Sequence, residues 1–432
     1  MYYLSNGVKV KCGYTNAALY NFHTGKVYLV ANTIGQLIIK NQLSALPQEL
    51  VDELYSEGFL TKNRADAEPS PVEVEYDLFD DKYSYRKCKL AYLEITDVCN
   101  NHCIHCYAGA TRNSTGFMSL NSARNYIDQF KSLGDCDFRI TGGEPFLHKD
   151  VCSIASYIHQ NISPLRSHSI VSNGSFDIND AFRILEMGFE LQISIYGVTE
   201  EKFCSFTNSS PAEYRKVIDN LEALSKSAYR KQIVLLFSVN AITYGDIETF
   251  KVLADAYGFR YILNRPAKVG RTVTNHELLE LSPEQYAVFA RSQRNPNKSF
   301  CYHLCQLFWV SIMVNGDVTP CGFFRTSEYI MGNLNNSHIS EIWHTEKYEK
   351  FRSYSADNVK YCNNCEFKYL CTAGCCGETA AYTGDIFNPY VGCQIKPYEN
   401  PDYLKVQENE LYLVIKNAAG IFDFEKRGNC IC

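Results

Sequence analysis

The chain has 432 residues, a formal net charge of −6, 46% apolar and 21% charged residues. That is room for two or three domains with a sizeable core, and the charge gives no nucleic-acid footprint. No apolar run approaches the roughly 20 residues of a membrane span, and "MYYLSNGVKVKCGY" lacks the basic start and apolar core of a secretory signal, so a cytoplasmic protein with no membrane partner is expected. Residues 1–66 read as a small α+β, winged-helix-like unit. "AALYNF" and "VYLVAN" flank the turn "HTGK", with Gly25 supplying the turn, and "NTIGQLIIKNQ" and "PQELVDELYSEG" follow as short helices. Residues 67–87, acidic and carrying two prolines, read as a linker.

From Leu90 a strand–helix rhythm begins. "LAYLEIT", "CDFRIT", "SHSIVSN", "ELQISIY", "QIVLLFSVN" and "FRYILN" are strand-like, with helical stretches near 119–133, 149–160, 178–187, 211–226 and 246–257 between them. Parallel strands with right-handed crossovers assemble such a pattern into an α/β fold, here a partial (β/α)6 TIM-like barrel over 88–290. Chemistry then belongs at the C-terminal ends of the strands. "TDVCNNHCIHC", "TGGEP", "SNG" and "SIYG" close the first four strands and fall on that one mouth. Beyond residue 300 the rhythm stops. A cysteine-rich region is read over 300–395, and 396–432 as a C-terminal helix or tail.

Cysteine is the compositional anomaly. There are 19, nine of them from Cys301 to Cys393 and three from Cys99 to Cys106. A secreted disulfide scaffold is usually shorter and exported, so the clusters point to metal ligation. Cys12, Cys152 and Cys204 read as packing residues. Cys99, Cys103 and Cys106 have the spacing C-x3-C-x2-C. Three thiolates on one loop suit three irons of a [4Fe–4S] cluster, while His102 or His105 as fourth ligand would suit zinc. Spacing alone leaves both open. The strand ends beside the loop favour the cluster, because Gly142 and Gly143 let backbone approach a ligand and Glu144 can accept from an ammonium group.

On these motifs the chain resembles the radical S-adenosylmethionine superfamily over about 88–270. The three-cysteine loop matches Cys99, Cys103 and Cys106, and the Gly-Gly-Glu motif matches Gly142, Gly143 and Glu144. The resemblance implies an open iron that chelates the methionine amino and carboxylate groups. Glu144, with the Gly142–Gly143 backbone, would hold the amino group, and Ser172, Asn173 and Ser194 would lie near the carboxylate or ribose. One-electron cleavage would release a 5′-deoxyadenosyl radical. The family's aromatic residue before the third cysteine is replaced here by His105, which would pack on adenine. Arg271 of "PAKVGR" would meet a carboxylate at the mouth or stand as a solvated loop residue.

The later cysteines resemble the SPASM extension of radical enzymes that modify peptides and proteins. By that resemblance Cys362, Cys365, Cys371 and Cys393 would hold an outer auxiliary [4Fe–4S] cluster. Cys305, Cys321 and Cys375 would hold an inner one, with Cys301 as fourth ligand; without Cys301 that cluster would keep an open iron. Cys376 reads as a non-ligand. The implied cofactors are three [4Fe–4S] clusters and S-adenosylmethionine, and the implied partners a precursor peptide and a flavodoxin- or ferredoxin-like electron donor.

Residues 1–66 resemble the leader-peptide-binding domain fused to peptide maturases, which adds the leader as an extra strand. A packing appendage is the other reading. Cys430 and Cys432 in "GNCIC" are read as spare thiols on a tail, or as residues that fold back to a cluster. The expected activity is hydrogen abstraction from a ribosomal peptide followed by a C–C or C–S cross-link. The alternatives are a sulfatase-maturing type of oxidase and a zinc-binding interaction protein.

Overall fold

The computed structural model describes residues 1–69 except 15 and 25, 88–289 except 283 and 286–288, 309–390 except 372, Cys393, and the strand 412–415. Gly25, Cys301, Cys305, Cys430, Cys432 and residues 70–87 lie outside the described residues.

The N-terminal hairpin forms as expected. Strand β2 (Val8–Cys12) precedes β3 (Asn16–Asn21) and β4 (Lys26–Ala31), all antiparallel, with Asn16 opposite Ala31 and Asn21 opposite Lys26. β1 (Tyr3–Leu4) pairs with β5 (Leu60–Thr61) in a two-stranded sheet. Helices α1 (Asn32–Ile39) and α2 (Gln48–Ser56) pack Ile34, Ile38, Leu50 and Leu54 against Val10, Leu19, Tyr28 and Val30 in a core separate from the barrel's. All six residues of β3 are buried because both faces of the sheet are covered. The face away from the helices meets 361–369, where Tyr20 and Tyr369 sit edge to face at 5.2 Å. The buried Glu366 carboxylate accepts from the backbone N–H of Tyr14 (3.1 Å) and Asn16 (3.2 Å). Glu68, in the stretch read as linker, turns back to the unit and accepts from Gly7 N–H and Lys9 Nζ.

The six expected strands are β6 (Leu90–Thr96), β7 (Asp137–Gly142), β8 (Ser169–Ser172), β9 (Glu190–Ile195), β10 (Ile233–Ser238) and β11 (Arg260–Asn264). They lie parallel in chain order, with α3 (Leu120–Phe130), α4 (Val151–Asn161), α5 (Ile178–Glu186), α6 (Glu200–Thr207), α7 (Pro211–Ser225) and α8 (Ile247–Tyr257) in the connections. Buried on both faces, parallel strands read as continuous apolar runs, and β10 is buried at every position. One cavity is lined by Tyr92, Arg139, Val171, Ser194, Leu236 and Asn264, one from each strand, so the sheet curls into a trough. Among the described residues β11 is its outer strand on one side, as in a partial barrel. β12 (Trp309–Ile312) extends it parallel to β6, and β13 (Asp317–Thr319) and β14 (Gly332–Asn333) follow antiparallel, nine strands in all.

Within 396–432, read as a helix or tail, the described residues instead form a strand, β15 (Tyr412–Ile415), whose backbone pairs with β4 and completes a four-stranded sheet in the order β15-β4-β3-β2. Among the described residues no helix is long and apolar enough to cross a membrane.

Candidate active site

The three-thiol loop leaves β6 at Thr96 and is pinned at its base. Cys99 N–H donates to Thr111 O (3.1 Å), and Gly116 N–H donates to the Asp97 carboxylate (2.7 Å). His102 and Ile104 N–H groups donate to Thr207 O and Phe206 O at the end of α6. The segment after β11 then caps the loop's carbonyls. Arg271 Nε donates to Cys103 O (2.8 Å) and its Nη2 to Ala110 O (3.1 Å), while Arg271 N–H reaches Cys106 O. Thr272 Oγ1 donates to His105 O (2.9 Å) and Asn275 Nδ2 to Ile104 O (2.8 Å). Arg271 therefore holds the loop's backbone, which replaces both expectations for it. Sequence reasoning missed this clamp because carbonyl acceptors carry no residue signature.

Burial pushes the Cys99 thiol up to about 12, with the Glu144 carboxylate adding to the effect. Cys103 is also raised by burial and by its two partner thiols, with Arg271 acting in the opposite direction. The three side chains thus share one electrostatic neighbourhood, and all three line the cavity.

The second strand end packs against the first. Gly143 N–H donates to Thr96 O (2.7 Å) and Glu144 N–H to Val98 O (2.8 Å). Gly142 has φ +138°, and a Cβ there would stand 2.1 Å from Thr96 O; one on Gly143 would stand 2.1 Å from Val98 O. The glycines therefore serve the contact between neighbouring strand ends while also facing the cavity. Glu144 is 1% exposed and lies behind the cavity wall. Its Oε1 accepts from Ser172 Oγ (2.8 Å) and Phe146 N–H (3.2 Å), and its Oε2 from Asn173 N–H (2.7 Å). These contacts fix the Glu144 carboxylate beside the strand ends that line the cavity. Burial raises its pKa to about 7 against those hydrogen bonds.

Ser172, Asn173, Ser194 and His105 all reach the cavity wall. Asn173 Nδ2 donates to Asn100 Oδ1 (2.7 Å), which ties the third strand end to the thiol loop. Asn100 in turn donates to Glu213 (3.0 Å), and Ser175 donates to the same carboxylate. The His105 ring packs 4.8 Å from Tyr196 and 4.9 Å from Phe206. Burial, with the Arg271 charge, lowers its pKa to about 3, so the imidazole is neutral.

The wall fits a polar ligand. Asn101 Oδ1, His105 Nδ1, Ser238 Oγ and Asn264 Oδ1 are buried with no hydrogen-bond partner among the described residues, and all four residues line the cavity. Each such atom costs about 1–3 kcal/mol unless a ligand or water meets it. Three thiols at one end of that wall add a donor set suited to iron.

Of the later thiols, Cys321 is pushed up to about 12 by burial and by Cys375. Cys376 is buried and feels both Cys375 and Cys321, so it stands with the inner pair. Cys362 is raised to about 12 by burial, then by Cys371 and Cys393, and Cys365 is raised by burial, Glu366, Cys371 and Cys362. Cys321 and Cys375 thus lie in one neighbourhood and Cys362, Cys365, Cys371 and Cys393 in another, among the described residues. Within these residues, no three His, Cys, Asp or Glu side chains converge on a single-ion point.

The inner segment abuts the first loop. Phe323 meets the Tyr107 ring edge-on at 5.4 Å, and Arg325 lies 5.4 Å over the same ring while donating to the buried Glu94 of β6. Arg265, just after β11, pairs with Glu378 (3.2 Å) and donates to Tyr390 OH (2.7 Å). Burial raises the Glu378 pKa, but the Arg265 charge and the Tyr390 hydrogen bond outweigh it and leave the carboxyl below its usual value. Glu94, Arg325 and Glu378 were not identified from the sequence; of the three, Glu94 alone left a signal, as a lone charge in the apolar run "LAYLEIT".

A family model described as the radical SAM superfamily matches residues 93–256, and one described as an iron-sulfur cluster-binding domain, SPASM, matches 301–366. The chain is 28% identical over 179 residues to the GTP 3′,8-cyclase of Cronobacter sakazakii, covering 40% of this chain and 52% of that protein. It thus spans about half the length of the GTP cyclases it matches. It is 24% identical over 352 residues to the AdoMet-dependent heme synthase of Methanosarcina barkeri, covering 72% and 97%. Among solved structures, Streptococcus suis SuiB bound to S-adenosylmethionine shares 13% identity with a TM-score of 0.55, over 91% of this chain and 100% of that one. The structure of anSMEcpe with bound AdoMet shares 20% identity with a TM-score of 0.53, over 67% and 89%. At these identities the structural likeness shows the fold. The chain thus carries a radical SAM domain at 93–256 followed by a SPASM iron-sulfur cluster-binding domain at 301–366.

Proposed function

We propose that this protein is a peptide maturase that abstracts hydrogen from a residue of a ribosomally made precursor and closes an oxidative C–C or C–S cross-link. The observation that carries the reading is one continuous arrangement. A cavity with orphaned polar atoms opens on the Cys99–Cys106 thiols, the Phe323–Arg325 segment joins that loop to Cys321, and the N-terminal sheet rests on the outer thiol segment. The fold likeness to SuiB bound to precursor peptide SuiA, over 90% of this chain with a TM-score of 0.54, supports a peptide substrate.

Cys99, Cys103 and Cys106 are the proposed ligands of the first cluster. Cys362, Cys365, Cys371 and Cys393 are the proposed outer set, and Cys321, Cys375, Cys305 and Cys301 the inner set. With S-adenosylmethionine bound, the first cluster supplies one-electron cleavage and the radical that takes hydrogen. This chain's own residues bind and orient. Gly142, Gly143, Glu144, Ser172, Asn173, Ser194 and His105 are the proposed contacts, and Glu144 also fixes Ser172 and Asn173. Arg271 keeps the thiol loop in one shape. Clusters held by the auxiliary thiols would supply uptake of the electron left when the new bond forms, and a flavodoxin- or ferredoxin-like donor would supply the electron for the first cluster.

The test is anaerobic turnover of the reduced protein with S-adenosylmethionine and peptides encoded beside its gene. Formation of 5′-deoxyadenosine with a peptide lighter by two hydrogens supports the reading. A peptide of unchanged mass that has gained a D-residue contradicts the cross-link.

A further inference from the structure

The four-stranded sheet has two unlike edges. At one, β2 carries Lys9 and Lys11, and Lys9 is paired with Glu68 at 2.7 Å. Lysines on an edge strand discourage addition of a further strand. At the other, β4 reads Val27-Tyr28-Leu29-Val30-Ala31 with no charge after Lys26, the composition that invites addition. The faces of β4 are already used. Tyr28 and Val30 belong to the core under α1, and Val27 and Leu29 are buried on the opposite face. What β4 offers a partner is its backbone edge.

The chain itself occupies that edge. β15 runs antiparallel along β4 with Tyr412 opposite Val30, Leu413 opposite Leu29, Val414 opposite Tyr28 and Ile415 opposite Val27. We propose that the β4 edge is an acceptor for one extended apolar peptide strand, that Tyr412–Ile415 is its resident occupant, and that the substrate peptide docks by displacing it. That the newcomer belongs to the substrate rests on the function proposed above; the acceptor edge does not.

Strand addition is made through backbone N–H and C=O groups, so a second extended chain can take over the same ladder. The resident strand is tethered, and its effective concentration is high. It lowers the apparent affinity for a free strand by the fraction of time the edge is open. It also covers an apolar edge that would otherwise pair with other chains. Because the sheet rests on 361–369 through Glu366 and Tyr369, a strand held at β4 has a fixed bearing on Cys362 and Cys365.

The test replaces Leu413 and Val414 by proline in the full chain. Successive strand residues aim their N–H groups to opposite sides, so one of the two prolines removes a donor facing β4 in either phase. The probe is a fluorescein-labelled synthetic peptide of residues 409–418. The L413P/V414P chain should bind it at least tenfold more tightly than the unaltered chain, and alternate amides from Val27 to Val30 should lose hydrogen-exchange protection. Equal affinity for the two chains overturns the proposal. A second measurement needs no substitution. Saturating unlabelled peptide should expose the 412–415 amides of the unaltered chain to exchange, and continued protection there overturns the proposal as well. A chain that exchanges strands in this way, yet leaves precursor peptides unmodified, supports the acceptor edge and sinks the function proposed above.

Discussion

Glu144 is a buried acid met only by donors: one hydroxyl and two backbone N–H groups. Burial nonetheless holds its pKa near 7, above the ordinary 4.5. A folded-state pKa above the unfolded one means the native protein binds that proton more tightly between those two values. Its contribution to stability is full below the unfolded pKa and is lost as pH rises through the folded one. Glu144→Gln removes the titration, so urea unfolding from pH 4.5 to 7.5 should show a flatter decline than the unaltered protein. The variant should also bind S-adenosylmethionine at least tenfold more weakly, because an amide N–H2 turned toward Asn173 N–H sets donor against donor. Arg271 is the second pivotal side chain. Arg271→Ala leaves Cys103 O and Ala110 O without their guanidinium donors. A charge-assisted hydrogen bond is worth about 1.5–3 kcal/mol, so urea unfolding should report a loss of roughly that size, with a lower iron content. Arg271→Lys should recover part of it, since an ammonium group lacks the fork that serves two carbonyls.

At the scale of elements, the contact between the N-terminal sheet and the outer thiol segment runs through Glu366. Glu366→Ala leaves the Tyr14 and Asn16 N–H groups without their acceptor. Amide exchange should then accelerate together in β3 and in 362–371, whereas a sheet that only abuts the segment predicts a change on one side. The six parallel strands were legible because buried parallel strands are apolar throughout and their helices are amphipathic. The thiol spacings were legible because ligands from one loop must sit within a few residues of each other. Other elements left weaker traces. "VKVKC" alternates as a strand does but is short, and α6, "EEKFCSFT", lacks a clear apolar stripe. The pairing of 412–415 with 27–30 joins segments nearly a whole chain apart, and backbone pairing has no residue code. The glycine pair was legible as a close approach, but its partner is the neighbouring strand end at Thr96 and Val98 rather than a ligand alone. Arg271 was visible as a residue and not as a clamp, since carbonyl acceptors are the same at every position.

Over the whole molecule, side-chain contacts tie the thiol-bearing segments to the barrel mouth at one place and to the N-terminal sheet at another. Tyr107, Phe323 and Arg325 link the first loop to Cys321, and Glu366 links the outer segment to β3. Three full clusters call for about twelve irons per chain. Replacing Cys99, Cys103 and Cys106 by alanine should remove about four of them and abolish formation of 5′-deoxyadenosine. Replacing Cys362, Cys365, Cys371 and Cys393 should also remove about four, while leaving slow cleavage of S-adenosylmethionine uncoupled from peptide product. Loss of cleavage in both sets alike would contradict a division of labour between the first loop and the auxiliary thiols. In the proposed function, the radical generated at the barrel mouth takes hydrogen from a peptide. Turnover with a uniformly deuterated precursor peptide measures this directly by mass spectrometry of the nucleoside. Hydrogen transfer from the peptide gives 5′-deoxyadenosine carrying one deuterium, formed together with cross-linked peptide. Unlabelled 5′-deoxyadenosine, released at the same rate with and without the peptide, would contradict it.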